Sequence, residues 1–307
     1  MPFESVTLND GNEMPTIAFG SGSKWKSHDV TDYVIQAIET GFSHIDAAQA
    51  YGNQDSVGAA IHESGLSRSE LFITSKWSRD TTPISEALQE SLTQLGVKQL
   101  DLYLIHQPAI VKNVEEAWGT FEKLKEDGLV KSIGVSNYEL DDLQKLIKVA
   151  KVKPAVNQIY FHPYNYTENK ALLDYCTSQG IVVEAYSSLA PITRYPGGPV
   201  DKPVAAAAKR LGVTPTQVIL AWVKAKGLTI VTTSSSKEHL EEYLAVGDLP
   251  PLTEEEIAAI DEAGANAPAT LFGYQLPIRI EIGPALCALC VMGVGKLAWR
   301  AFTRYWH

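Results

Sequence analysis

Eight short, strand-like runs that alternate with longer amphipathic stretches constrain the fold of this chain more than any other feature. The runs are rich in β-branched and aromatic residues and predict strands, and the stretches between them show the apolar spacing of helices. The predicted strands span residues 17–19, 43–46, 71–75, 102–105, 132–135, 155–159, 182–186 and 228–231. Strands that alternate with helices form parallel sheets. Eight of them favour an α/β fold with a closed (β/α)8 TIM barrel, although an open doubly wound sheet would give a similar alternation.

Two further segments flank the predicted barrel. An N-terminal β-hairpin is expected before the first barrel strand, because Asp10 and Gly11 form a turn pair between two extended runs. We place the barrel domain at residues 1–277 and treat residues 278–307 as a hydrophobic C-terminal tail. Residues 282–295 of this tail carry no charge, but these 14 residues are fewer than the roughly 20 that span a bilayer.

Three interpretations of the tail stay open. It packs against the barrel, it anchors the protein to a membrane from the cytosolic side, or it is disordered or the product of an unusual splice or gene model. Basic and aromatic residues follow its uncharged core, as they do in the interfacial belt of membrane segments. Cys287 and Cys290 form a CxxC pair in the tail, but no second ligand pair exists, and so we predict no metal site.

Composition and charge exclude several classes of function. The net charge is -10 and basic clusters are absent from the sequence, so nucleic-acid binding is not expected. Three cysteines in 307 residues argue against a disulfide framework and suit a reducing compartment. The first ten residues lack the apolar run of a signal peptide. We therefore expect a cytoplasmic protein, taken to be a monomer, with membrane association only through the tail.

Four polar residues follow successive predicted strands, where the active sites of such barrels lie. A tyrosine with its ordinary pKa of about 10 is a poor acid at neutral pH, but a nearby ammonium group stabilises its phenolate and lowers that pKa. A carboxylate would keep the ammonium charged, and a histidine could donate a hydrogen bond to a substrate oxygen. Together these groups suit reduction of a carbonyl, with the hydride supplied by a cofactor. The four residues are Asp46, Tyr51, Lys76 and His106.

Each of these residue types also has a purely structural interpretation. A single Asp–Lys pair is more often a surface ion pair, and a histidine after an apolar run is usually a structural residue. Tyr186, on an apolar strand, would by itself be a core residue. The joint occurrence of these residues at strand ends, in this order, favours a catalytic site.

Six segments in a fixed order resemble the aldo-keto reductase family. They are GFSHIDAAQAYGN (41–53), ITSKW (73–77), DLYLIHQP (101–108), GLVKSIGVSNY (128–138), VNQIYFHPY (156–164) and VEAYSSLA (183–190), and the resemblance covers residues 5–265. It implies that Tyr51 is the general acid and that Lys76 lowers its pKa. It also implies that Asp46 pairs with Lys76 and that His106 orients the carbonyl.

The same resemblance implies a nicotinamide cofactor and a substrate pocket. The carboxamide of the nicotinamide would be held by Ser136, Asn137 and Gln158. The nicotinamide ring would stack on Tyr186. The rest of the cofactor would contact Gly22, Ser23, Ser187, Leu189 and, at the adenine amino group, Glu242. The small-molecule carbonyl substrate would lie between Trp25, Trp77 and Gln107, the last of which stands where many relatives have tryptophan.

The segment that would bind the 2′-phosphate of NADPH departs from the family pattern. Thr233 and Ser234 stand where a lysine and a serine are usual, and His239 replaces an arginine, so the bidentate clamp is missing. Hydroxyls, a lysine and the start of a short helix would still form an anion site. The residues that supply it are Ser234, Ser235, Ser236 and Lys237. The expected cofactor is therefore NADPH, with NADH as a weaker alternative.

Two functions from different classes remain under consideration. The leading hypothesis is an oxidoreductase that reduces aldehydes and ketones to alcohols with NADPH. The alternative is a cofactor-sensing regulatory subunit that keeps the barrel and the nucleotide but turns over slowly. The complete set of four catalytic residues favours the enzyme. An open-sheet dehydrogenase is disfavoured, since Gly20-Ser21-Gly22-Ser23 after the first strand lacks the third glycine of a GxGxxG motif.

Overall fold

A closed barrel of eight parallel strands forms the centre of the computed structural model, which describes residues 3–22 and 25–267. An antiparallel hairpin, β1 (Ser5–Thr7) and β2 (Glu13–Pro15), precedes it. The barrel strands are β3 Ile17–Gly20, β4 His44–Asp46, β5 Phe72–Trp77, β6 Leu100–Ile105, β7 Val130–Ser136, β8 Val156–Tyr160, β9 Val182–Tyr186 and β10 Thr229–Thr232. Strand β10 pairs with both β9 and β3. This closure confirms the (β/α)8 barrel and excludes the open doubly wound sheet.

Helices connect successive barrel strands, and two more helices within residues 25–267 follow the last strand. In the described part of the chain they are α1 Thr31–Thr40, α2 Gln54–Glu63, α3 Ile84–Leu95, α4 Val114–Glu126, α5 Leu140–Val149, α6 Tyr166–Gln179, α7 Ala190–Thr193, α8 Asp201–Leu211, α9 Pro215–Ala225, α10 Lys237–Ala245 and α11 Glu254–Ala265. Their ends follow the local sequence. Helix α9 begins with Thr214 as an N-cap and Pro215 at its first position, and α3 ends at Gly96, which adopts the left-handed conformation.

The hairpin forms where it was predicted. The amide of Leu8 donates to the carbonyl of Asn12 at 2.8 Å, and Gly11 in the turn between them has a φ of 84°. A positive φ of this size favours glycine, because it has no Cβ to clash with the backbone. The Asp10-Gly11 turn is therefore confirmed.

All eight predicted barrel strands are present, and their ends differ from the predicted ends by at most two residues. Strand β5 extends to Trp77 and β7 to Ser136, beyond the predicted ends at residues 75 and 135. Lys76 pairs in register with Leu104, and Ser136 pairs with Gln158. Lys76 and Ser136 were expected just after their strands, but they lie within the last residues of the strands, where the backbone still pairs with its neighbour.

Buried polar side chains occupy part of the barrel interior. Asp46, Lys76, Gln158, Glu184 and His44 are each exposed by 2% or less. They come from four different strands, and Asp46 on β4 is hydrogen-bonded to Gln158 on β8, a strand that is not its neighbour in the sheet. Such a contact can only cross the inside of the barrel. The fold therefore gathers these groups in one enclosed polar cluster.

Two further observations concern residues 3–22 and 25–267. No helix in these ranges is long and apolar enough to span a membrane. No group of three or more His, Cys, Asp or Glu side chains in them could hold a metal ion. The predicted boundary at residue 277, the tail at 278–307 with Cys287 and Cys290, and the cofactor residue Ser23 all lie outside the described residues.

Candidate active site

Tyr51, Lys76 and Asp46 form a hydrogen-bonded group at one rim of the barrel. The ammonium Nζ of Lys76 donates to Oδ1 of Asp46 at 2.5 Å, to the carbonyl of Ala47 at 3.0 Å and to the hydroxyl of Tyr51 at 3.3 Å. These three acceptors use all three donors of the ammonium group. Because Tyr51 accepts through its oxygen, its own proton remains available for a different partner.

A short turn places Tyr51 over this group. Tyr51 ends the 3-10 turn Gln49–Tyr51, which follows β4 and is closed by Gly52 in the left-handed conformation. Gly22, predicted as a cofactor residue, lies directly against its ring. A Cβ atom at Gly22 would be 2.5 Å from Cζ of Tyr51, and so any side chain there would displace the ring. The structure thus gives Gly22 a positioning role beside Tyr51.

The pKa values in this group result from burial and charge acting in opposite directions. Burial raises the pKa of Tyr51, and the Lys76 ammonium opposes that rise without cancelling it. Burial alone would lower the pKa of Lys76, but the carboxylate of Asp46 and the oxygen of Tyr51 outweigh it and raise that pKa. The sequence predicted that Lys76 lowers the pKa of Tyr51, and it does, but burial raises that pKa by more. In this structure the lysine stays charged and Tyr51 stays protonated at neutral pH.

His106 lies beside Tyr51, with ring centroids 5.8 Å apart and the rings nearly perpendicular. Burial and the nearby Lys76 charge lower the pKa of His106 to about 3, so the imidazole is neutral at physiological pH. Its Nδ1 is 2.6 Å from the hydroxyl oxygen of Ser78. The Ser78 hydroxyl also lies 3.2 Å from the carbonyl oxygen of Lys76, a second acceptor for its proton. When Ser78 donates to Nδ1 instead, the imidazole proton lies on Nε2. A neutral histidine with its proton on Nε2 can donate to a carbonyl oxygen.

The predicted carboxamide-binding residues lie together where the end of β7 pairs with Gln158, the middle residue of β8. The amide nitrogen of Asn137 donates to the carbonyl of His106 at 2.9 Å and to the hydroxyl of Ser136 at 3.0 Å. Its oxygen accepts from the hydroxyl of Tyr186 at 2.7 Å. The hydroxyl of Ser136 donates to the backbone carbonyl of Gln158 at 2.8 Å. Hydrogen bonds among the four residues thus fix their positions relative to His106.

Backbone strain is concentrated in this region. In the described residues, three non-glycine positions have a positive φ: Ser27 at 58°, Asn137 at 59° and Ser187 at 57°. Two of the three are predicted cofactor residues, each at the carboxyl end of a barrel strand. Left-handed backbone at a non-glycine residue costs about 1–3 kcal/mol and is often found at functional sites. Ser187 is partly exposed, as is Leu189, which is the residue before α7.

The residues predicted to bind the cofactor phosphate lie at the start of α10. Ser236 caps this helix by accepting from the amide of His239 at 3.2 Å, and the hydroxyl of Ser234 is 3.4 Å from the His239 imidazole. Lys237 is the first helical residue and is exposed. Glu238 brings a carboxylate to the same place, since it accepts from the Ser236 hydroxyl at 2.6 Å. This carboxylate, which was not foreseen, opposes binding of a second phosphate charge.

The remaining predicted residues of this segment are engaged elsewhere in the fold. The hydroxyl of Thr233 donates to the carbonyl of Gly20 at 2.8 Å, which ties the loop to β3. The carbonyl of Ser235 accepts from the amide side chain of Gln36 at 3.2 Å. The carboxylate of Glu242, predicted to reach adenine, accepts from the hydroxyl of Thr214.

Two of the three predicted substrate-pocket residues are anchored by packing. Trp25 is 8% exposed and its ring lies 4.8 Å from that of Tyr33. Trp77 is 6% exposed and donates through its indole N–H to the carbonyl of Thr82 at 3.0 Å. Gln107 is exposed, directly after His106. The tryptophans are therefore rigid apolar surfaces, whereas Gln107 faces solvent.

Sequence reasoning missed two residues that contact the site. Ser78 was overlooked although it lies two residues after Lys76, and a hydroxyl at that spacing after the lysine strand is a usable signal. Glu184 was overlooked because it lies inside the apolar run of β9, where the sequence shows only one charged residue among buried neighbours. Only the register, which places Glu184 opposite Gln158, shows what it contacts.

A family model described as the Aldo/keto reductase family matches residues 16–265. A protein of Schizosaccharomyces pombe, named an NAD/NADP-dependent indole-3-acetaldehyde reductase, is 40% identical over 245 residues, which cover 76% of this chain and 86% of the relative. A protein of Saccharomyces cerevisiae, named an NADPH-dependent alpha-keto amide reductase, is 35% identical over 294 residues, covering 88% and 94%.

Solved structures agree with these sequence matches. A crystal structure of a Bombyx mori aldo-keto reductase in complex with NADP has a TM-score of 0.77 and 32% identity, covering 85% of this chain and 92% of that one. A Brucella melitensis aldo/keto reductase has a TM-score of 0.76 and 33% identity, covering 85% and 99%. The likeness covers 85% of this chain and more than nine-tenths of each solved chain, and so it extends over the complete barrel.

Proposed function

Because the chain belongs to the aldo/keto reductase family, we propose that it reduces aldehydes and ketones to alcohols with NADPH and that Tyr51 is the proton donor. The single observation that carries the proposal is the hydrogen bond from the Lys76 ammonium to the Tyr51 hydroxyl oxygen, 3.3 Å long. It leaves the hydroxyl proton free for a substrate oxygen. It also places a positive charge where negative charge develops once that proton has been transferred.

The chain's own residues fit a nicotinamide cofactor. The amide nitrogen Nε2 of Gln158 donates to Asp46 and Glu184, both at 2.8 Å, which leaves Oε1 as the acceptor of this side chain. A carboxamide NH2 group would donate to that oxygen. The half-buried ring of Tyr186, held by Asn137 at 2.7 Å, offers a face for stacking. When bound, NADPH supplies the hydride that no side chain can supply.

Proton transfer follows from the positions of Tyr51 and its neighbours. Tyr51 donates its hydroxyl proton to the carbonyl oxygen of the substrate. Lys76 stabilises the phenolate that remains, and Asp46 keeps Lys76 charged and in place. Neutral His106 donates from Nε2 to the same carbonyl oxygen, with Nδ1 held by Ser78. Two donors on one oxygen orient the carbonyl and polarise it.

We propose NADPH as the preferred cofactor, with NADH as a weaker substrate. The hydroxyl of Ser234, the charge of Lys237 and the N-terminus of α10 support an anion site, whereas the Ser236 hydroxyl already donates to Glu238. Glu238 and the missing arginine weaken that site, so the preference should be smaller than with a guanidinium clamp. One relative is named as using both NAD and NADP, which supports a modest preference.

We propose aldehydes and α-dicarbonyl compounds as the substrate class. The relatives reported above are named for an indole acetaldehyde and an α-keto amide, which both carry an apolar or planar group beside the carbonyl. Trp25 and Trp77 supply apolar surface for such a group. The alternative of a cofactor-sensing regulatory subunit gains no support from these relatives, since both are named as reductases.

The test is loss of NADPH absorbance when purified protein is mixed with an aromatic aldehyde or an α-keto ester. The proposal predicts steady turnover with at least one of the two. A matched reaction without carbonyl controls for simple oxidation of NADPH. Binding of NADPH without turnover on either substrate would contradict the reductase and favour the sensing subunit.

The domain division and the location of the protein are separate parts of the proposal. We propose that residues 1–277 form the enzyme and that it acts in the cytoplasm, with residues 278–307 as the segment that decides any membrane association. The low cysteine content supports a reducing compartment. Cell fractionation with and without residues 278–307 tests the location, and turnover by the truncated protein tests the domain division.

A further inference from the structure

Glu184 is a fully buried carboxyl group to which the proposed proton transfer gives no role. It lies on β9 with an exposed fraction of 0%, in register with Gln158 on β8 and Thr229 on β10. Its Oε2 accepts from Nε2 of Gln158 at 2.8 Å, and the same Nε2 donates to Oδ2 of Asp46 at 2.8 Å. One amide nitrogen therefore bridges Glu184 to the Asp46–Lys76 pair.

This bridge decides which way the amide of Gln158 faces. Ionised carboxylates only accept hydrogen bonds, whereas the NH2 group of an amide donates two. While Glu184 is ionised, the group between Asp46 and Glu184 must therefore be the NH2 group, with one hydrogen for each carboxylate. An oxygen in that place would face two acceptors and leave three polar groups unsatisfied in a buried site. Glu184 supplies the second acceptor, and without it one N–H of Gln158 has no partner.

We propose that Glu184 is a positioning residue of the reductase site, which acts through Gln158 and fixes its amide so that Oε1 is presented to the nicotinamide carboxamide. The inference rests on the proposed function, since it needs a nicotinamide cofactor at Gln158. It goes beyond that function because Glu184 itself touches neither cofactor nor substrate.

The charge of Glu184 also reaches Tyr51. The ionisable groups that face Glu184 are Asp46 and His44 from β4, Lys76 from β5 and Tyr51 from the turn after β4. His44 lies with Nε2 3.9 Å from Oε1 of Glu184, and burial lowers the pKa of this histidine to about 4, so it is neutral. Burial and then the Asp46 charge raise the pKa of Glu184 to about 7. Ionised Glu184 in turn raises the pKa of Tyr51.

Two substitutions separate the acceptor from the charge. Glu184→Gln keeps an acceptor oxygen at the same place and removes the charge. Glu184→Met keeps the length of the side chain and removes the acceptor. We expect the Kd for NADPH, measured by quenching of tryptophan fluorescence without substrate, to stay within about twofold in Glu184→Gln. We expect it to rise about tenfold in Glu184→Met, the effect of one lost hydrogen bond to a charged group.

A matched control distinguishes positioning from a general loss of stability. Asp101 is another buried barrel carboxylate, exposed by 3%, which accepts from Arg68 and from the amide of Ile73. Asp101→Asn should leave the Kd for NADPH unchanged. The proposal is overturned if Asp101→Asn and Glu184→Met raise the Kd for NADPH equally. It is also overturned if Glu184→Met binds NADPH as tightly as wild type does.

The dependence of kcat on pH is a second measurement, and it would not change if Glu184 had only a structural role. Because ionised Glu184 raises the pKa of Tyr51, the basic limb of kcat for reduction should shift to lower pH in Glu184→Gln. An unchanged profile would contradict the coupling. The Kd measurement needs no turnover, so it decides the role of Glu184 even if the wild-type protein proves not to be a reductase. If the wild type turns over normally and Glu184→Met has an unaffected Kd for NADPH, the positioning role of Glu184 is rejected and the reductase function is not.

Discussion

Replacing Glu184 by glutamine should change how the stability of the protein depends on pH. Burial raises the pKa of this carboxyl group from 4.5 to about 7 in the folded protein, and no part of the residue is exposed. Between these two values the folded protein keeps a proton that the unfolded chain has lost. The free energy of unfolding of the wild type therefore falls as the pH rises through this window, and above pH 7 the full cost of the buried charge is present.

The size of this effect follows from the two pKa values. The difference between the two pKa values corresponds to about 3 kcal/mol, most of which falls between pH 5 and pH 8. Buried histidines act in the opposite sense. The folded-state pKa of His44 and of His162 is lowered to about 4 by burial, so their contribution to stability grows as the pH rises to about 6.5. Both variants contain these histidines, and so their contribution cancels in the difference.

The assay is urea unfolding, followed by tryptophan fluorescence, of wild type and Glu184→Gln at pH 5 and pH 8. The free energy of unfolding of Glu184→Gln, measured relative to that of wild type, should be larger at pH 8 than at pH 5 by roughly 2 to 3 kcal/mol, because only the wild type loses stability over this range. A relative stability that is the same at both pH values within about 0.5 kcal/mol would refute the reasoning, because Glu184 would then titrate alike in the folded and unfolded chain.

Three further predictions concern activity and location. Lys76→Met should lower kcat for reduction about a hundredfold or more while the Kd for NADPH stays within about threefold, and a kcat within fivefold of wild type would contradict the role of the ammonium beside Tyr51. His239→Arg should raise the ratio of kcat/KM for NADPH over NADH about tenfold by restoring a guanidinium at the start of α10, and an unchanged ratio would place the 2′-phosphate elsewhere. Deletion of residues 278–307 should leave kcat unchanged, and full-length protein found wholly in the soluble fraction would reject membrane anchoring.

The fold and the grouping of the proposed catalytic residues could be predicted from the sequence because both depend on local patterns. Eight β-branched runs alternate with amphipathic stretches, and the strands they predict close into the barrel. In such a barrel the carboxyl ends of all strands meet at one rim. Asp46, Lys76 and His106 close or follow three successive strands, and so their proximity follows from topology alone.

The remaining features of the site depend on contacts between distant parts of the chain. The sequence shows Glu184 as a single charge in an apolar strand, but its bridge through Gln158 to Asp46 needs the barrel to be closed. The raised pKa of Tyr51 needs the extent of burial, which exceeds the effect of the lysine. The hydrogen bond of Glu242 to Thr214 joins residues 28 positions apart, so the motif around Glu242 does not reveal it.

The most direct test of the account is turnover and cofactor binding in Tyr51→Phe. This change removes one hydroxyl and leaves the ring that packs against Gly22 and His106. We expect kcat for reduction of an aromatic aldehyde to fall by about three orders of magnitude, while the Kd for NADPH stays within about twofold of wild type. Turnover close to that of wild type would contradict the assignment of Tyr51 as the proton donor, and with it the central claim.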